Sequence, residues 1–123
     1  MQRRTAVINA RVFDSAAGVL HDGSTVVVEG ESIVEVTREP RTFADANLID
    51  AAGRVVLPGL IDAHVHVMAV THDILRLSAT PPSLITAQSK GVMEGMLQRG
   101  FTSVRDACGA DFGLQEAVER GLL

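Results

Sequence analysis

Apolar and polar positions alternate in short runs from Thr5 to Leu57, the pattern of half-buried strands. "AVINARVF" is the first such run. "STVVVEGESIVEVT" reads as a hairpin, two β-branched runs meeting at Glu29-Gly30-Glu31. "NLIDAAGRVVL" reads as a second hairpin turning at Ala52-Gly53, and the polar "REPRTFADA" between them as a loop. After Pro58-Gly59 the period changes. An apolar strand from Leu60 to Val67 is followed by "THDILRLS", a short helix within a loop. "TPPSLITAQSKGVMEGMLQRG" opens with the helix-start residues Pro81, Pro82 and Ser83 and closes on Gly100 at the C′ position. Within it Leu84, Ala87, Gly91 and Gly95 form one stripe, with Ile85, Val92 and Met96 beside it, and the glycine spacing suits close packing on a sheet. "FTSVRDAC" is a further strand, and "DFGLQEAVERGLL" a helix with Asp111 as N-cap and Gly121 as its end. Residues 58–123 therefore read strand, helix, strand, helix, one βαβ unit plus a helix, which requires a parallel sheet and an α/β fold. The expected boundary separates a β region, 1–57, from this α/β region.

Composition narrows the function classes. The chain has 123 residues, 46% of them hydrophobic, enough for a real core. Its net charge of −4 and lack of a basic cluster argue against nucleic acid, as do four Phe with no Trp or Tyr to stack on bases. One cysteine, Cys108, excludes an internal disulfide and a cysteine-rich zinc site. Asn9, Arg11 and Asp14 interrupt any signal-peptide core, and no apolar run is long enough for a membrane span. The expectation is a cytoplasmic protein that binds neither membrane nor nucleic acid.

The chemistry concentrates in "LPGLIDAHVHV", which holds two of the four histidines. On a strand, Asp62, His64 and His66 share a face, and the imidazoles stand about 7 Å apart along the backbone, close enough to converge on one ion. Satisfied histidines at a strand end are the bland alternative. Ligation of a metal by His64 and His66 is the reading adopted, although a catalytic zinc takes three protein ligands and water. The cupin motif shares the two histidines but adds a glutamate shortly after, where this chain has Ala69, Val70 and Thr71. Asp62 either orients a histidine or caps the turn after Pro58-Gly59, and both readings stay open. His72 is expected in a solvated loop and His21 in a turn. Arg105 and Asp106, at the end of their strand, are expected in a structural salt bridge rather than a catalytic role, and Cys108 is expected to be a small core residue. Spacing argues for no Ser/His/Asp or Cys/His nucleophile and for no phosphate loop.

"VVLPGLIDAHVHV" resembles the amidohydrolase superfamily, whose signature is Pro-Gly-Leu-Ile-Asp-x-His-x-His. "IDAAGRVVLPG" resembles the end of that family's small N-terminal β-domain. "GFTSVRDACGADFGLQEAVERGLL" resembles the second strand and helix of its imidazolonepropionase-like and Xaa-Pro dipeptidase-like branch. The resemblance implies the first βα units of a (β/α)8 TIM barrel preceded by part of a small β-sandwich. It implies His64 and His66 as ligands of one of one or two divalent ions, zinc foremost. It further implies hydrolysis of an amide or cyclic amide C–N bond in a small molecule, a dipeptide or N-acyl amino acid being favoured. The family's other ligands (a lysine, two histidines, an aspartate) come from later strands, and Lys90 lies in a helix and does not match. A full barrel needs roughly 250 residues, so the chain is expected to be an N-terminal segment. The rest of the barrel would lie in the same or another chain, and this segment alone would be inactive. The competing expectation is a non-catalytic remnant or assembly piece that needs a partner chain.

Overall fold

A computed structural model describes residues 4–39 and 42–123. They form two compact units, divided between Pro58 and Gly59.

The first unit is a five-stranded sheet in the order β3-β2-β1-β4, with β5 also paired to β1. β1 (Arg4–Asp14) and β2 (Val19–Glu29) are antiparallel, from Arg4 opposite Glu29 to Asp14 opposite Val19. Asp14 makes their turn: its carboxylate accepts from Ala16 and Ala17 N–H at 2.9 and 3.0 Å, and Gly18 closes it at φ 70°. β3 (Ser32–Thr37) pairs antiparallel with β2 across the Gly30-Glu31 turn, the hairpin expected from its β-branched runs. His21, expected in a turn, lies within β2 opposite Val12. The core is built from small side chains: Ala6, Ala10 and Ser24 are essentially inaccessible beside Val26 and Val27. The Ser24 hydroxyl stays satisfied by donating to the His21 carbonyl at 3.0 Å.

The second expected hairpin does not form. β4 (Ala46–Asp50) and β5 (Val55–Val56) both run parallel to β1, pairing with successive parts of it, Arg4–Ile8 and Arg11–Val12. The Ala52-Gly53 turn is a step along β1 rather than a reversal. Ala52 and Gly53 take φ 49° and 75°, facing a bulge in β1 where Asn9 takes φ 55°. Ala51 N–H donates to the Ile8 carbonyl and Gly53 N–H to the Asn9 carbonyl, so the ladder continues through the irregularity.

In the second unit β6 (Leu60–Val65) and β7 (Phe101–Asp106) pair in parallel. The crossover between them carries α1 (Ile74–Ala79) and α2 (Pro82–Gln98), and α3 (Phe112–Glu119) follows β7. α2 begins with Pro82, whose missing N–H costs nothing in the first turn, and ends at Gly100, φ 91°. The stripe expected to pack closely does not: Leu84 is half exposed and nothing lies within 4 Å of a Cβ added at Gly91. The neighbouring face, Ile85, Ser89, Val92 and Met96, is the more buried one. A core of Val65, Val67 and Leu114 gathers Met68, Met93, Met96, Ala110 and Leu123 around it.

Candidate functional site

Alternation along β6 sorts the motif into two faces. Val65 and Val67 are 6% and 2% exposed and anchor the core, while His64 and His66, at the alternate positions, are exposed. β6 ends at Val65, so His66 is the first residue beyond the ladder, at the carboxyl end of a parallel strand. The two imidazoles lie edge to face, centroids 5.1 Å apart and planes at 83°. Asp62 does not cap the Pro58-Gly59 turn: its carboxylate accepts the backbone N–H of His64 at 3.1 Å, so its hold is on that histidine's backbone.

Gly59, the glycine of the motif, has a steric reason. A Cβ built there would lie 1.9 Å from Thr102 Oγ1 and 2.7 Å from Thr102 Cβ on the paired strand. With Gly59 in place, Leu60 N–H reaches the Gly100 carbonyl at 2.8 Å and the parallel register begins.

The other candidates separate. His72 sits on an exposed bend, as expected of a loop histidine. Arg105 is exposed and forms no ion pair with Asp106; the expected salt bridge is absent among the described residues. Asp106 instead accepts three backbone N–H groups, from Val67 at 2.7 Å, Cys108 at 2.9 Å and Ala110 at 3.3 Å. Its position ahead of Ala-Cys-Gly was the available signal, because aspartates at strand ends readily bond backbone groups a few residues on. Cys108, expected in the core, is exposed; Asp106 holds its backbone in a loop outside the packed cluster. Among the described residues no group of three or more His, Cys, Asp or Glu side chains is placed to hold a metal ion. No helix among the described residues is long and apolar enough to cross a membrane.

Comparison with known proteins gives this geometry its context. The sequence model of the amidohydrolase family matches residues 55–123, the whole second unit included. A dihydroorotase from Syntrophotalea carbinolica is 47% identical over 60 residues, covering 49% of this chain and 14% of that protein. An imidazolonepropionase from Streptomyces coelicolor is 41% identical over 97 residues, covering 72% of this chain and 25% of that protein. Among solved structures, a prolidase complexed with N-methylphosphonate-L-proline superposes on 98% of this chain with TM-score 0.90 and 44% identity, and 29% of that prolidase is covered. An amidohydrolase structure superposes with TM-score 0.88 at 38% identity. A mixed α/β chain with two histidines at the carboxyl end of a parallel strand, matched over more than half its length, belongs to the amidohydrolase family. It spans between about a seventh and a third of the length of these relatives.

Proposed function

We propose that this chain is the N-terminal part of a metal-dependent amidohydrolase. The β unit belongs to a small β-sandwich, and the second unit supplies the first two βα units of a (β/α)8 barrel. The observation that carries this reading is the placement of His64 and His66. Their ring centroids stand 5.1 Å apart, near enough for both imidazoles to hold one ion. Both rings leave the carboxyl end of a parallel strand, the end at which barrel enzymes build their sites. Imidazole donors favour zinc or a similar divalent ion.

When bound, such an ion supplies an activated water and polarises the scissile carbonyl. The chain's own part is to present the two imidazoles from a strand end whose alternate residues, Val65 and Val67, are buried in the core. Two donors fall short of a catalytic zinc's three. The remaining donors and the base therefore come from the rest of the barrel, in the same chain or another. The substrate class is an amide or cyclic amide, a dipeptide or N-acyl amino acid being preferred. The prolidase complexed with a proline phosphonate supports the dipeptide, and the imidazolonepropionase supports the cyclic alternative.

The test is hydrolysis by the complete gene product, loaded with Zn²⁺, Mn²⁺ or Co²⁺, of Xaa-Pro dipeptides, N-acyl amino acids and cyclic amides. Turnover abolished by chelation and by His64→Ala and His66→Ala is expected. Turnover that persists in both variants contradicts the reading, and a metal-loaded protein inert to every class favours an assembly piece. The 123 residues alone are expected to show no turnover with any of these ions.

A further inference from the structure

We propose that Asp106 is a positioning residue for the histidine pair: its carboxylate, at the carboxyl end of β7, fixes the backbone one residue beyond His66. The inference rests on the metal-ligating reading of His64 and His66 and extends it to a residue outside that pair. β6 has ended before Val67, so the Val67 N–H has no place in the strand ladder, and Val67 is only 2% exposed. Asp106 Oδ2 accepts that N–H at 2.7 Å, at the short end of charge-assisted bonds. Asp106 Oδ1 accepts Cys108 and Ala110 N–H, so both oxygens are used and the loop after β7 wraps the carboxylate.

Two further contacts lock this loop to the chain around His66. Ala107 N–H donates to the Val65 carbonyl at 2.9 Å. Gly109, at φ 106°, lets its backbone lie so close that a Cβ there would stand 3.2 Å from Met68 Cβ. The His66 carbonyl is itself held by Ala69 N–H at 3.1 Å. The backbone of His66 is thus fixed from both neighbours, and with it the direction in which its imidazole leaves the strand end. Partners that orient metal ligands are worth about 10–100-fold in metal affinity.

Asp106→Asn isolates the effect. The shape is kept, but one oxygen becomes an NH₂ that opposes either the Val67 N–H or the Cys108 and Ala110 pair. In the complete gene product two quantities are read: deuterium exchange at the Val67 amide, and Co²⁺ affinity from the visible absorption of the bound ion. The variant is expected to lose protection at Val67 and to bind Co²⁺ about tenfold or more weakly. Val92→Ala, which thins the α2 packing face, is expected to lower Tm without changing Co²⁺ affinity. Unchanged Co²⁺ affinity in Asp106→Asn, with the parent binding normally, overturns the role of Asp106 alone. A parent that binds no Co²⁺ overturns the metal reading and the positioning role with it. Should Asp106→Asn not fold, Asp106→Glu, which keeps the charge on a longer arm, takes its place with the same expectations. Fast exchange at Val67 in the unaltered protein overturns the proposal without any variant.

Discussion

At Gly59 a methyl group would sit inside the Thr102 side chain, and because Thr102 Cβ is itself 2.7 Å away no rotamer change relieves the clash. Gly59→Ala is therefore expected to force β6 and β7 apart at the start of their register, costing about 1–3 kcal/mol as overpacking does. Thr102→Gly should recover much of that loss, as thermal unfolding of the single and double variants would show. Failure of the second change to rescue the first would place the strain elsewhere. Asp50 gives a different residue-scale expectation. The Ala52 N–H at 2.8 Å and, next, the Asn9 side-chain amide at 3.1 Å stabilise its ionised form and hold its carboxyl below the ordinary 3.8. A carboxylate whose pKa is lower folded than unfolded contributes stability above the ordinary value and loses it as pH falls through the folded one. Tm followed from neutral pH down to about pH 2 should fall more steeply for the parent than for Asp50→Asn over that acid range. At this scale the sequence was only partly legible. The histidine pair stood out because two imidazoles alternate in an otherwise apolar strand. The clash behind Gly59 and the bond from Val67 N–H to Asp106 depend on partners 43 and 39 positions away, which no local pattern reveals.

Among the elements, those with local chemistry at their ends were the readable ones. α3 starts where Asp111 accepts the Leu114 N–H at 3.1 Å and stops at Gly121, φ 68°. Asp111→Ala should cost about 1 kcal/mol, the usual worth of an N-cap, measured by chemical denaturation. A loss within error would mean that α3 is held by Leu114 packing alone. The β2–β3 hairpin was equally legible, because β-branched runs flank a Gly-centred turn. β4 and β5 were misread for a definable reason. A turn with two positive φ angles suits a tight hairpin, yet it also suits a step that matches a bulge on a neighbouring strand. Only the Asn9 bulge, a feature of β1, decides between them. α2 was read one face out of place, because its apolar residues spread over two adjacent stripes and the sheet selects one.

For the whole molecule, the described residues leave much apolar surface uncovered. Ile61 is 74% exposed on a two-stranded parallel sheet, and Leu75 and Phe112 are each 82% exposed on helices beside it in the chain. In the first unit Ile33, on the edge strand β3, is 67% exposed. Open strand edges and apolar patches recruit other chains. The 123 residues produced by themselves are therefore expected to elute larger than a monomer in sizing chromatography. A monodisperse monomer with one sharp, reversible transition would contradict this and favour a self-standing fold. The central claim, that His64 and His66 share one divalent ion, is tested most directly by anomalous diffraction at the zinc edge from crystals of the metal-loaded complete gene product. The account predicts a peak about 2.0–2.1 Å from one nitrogen of each ring. A peak held by other donors, with both imidazoles free of it, would contradict the account.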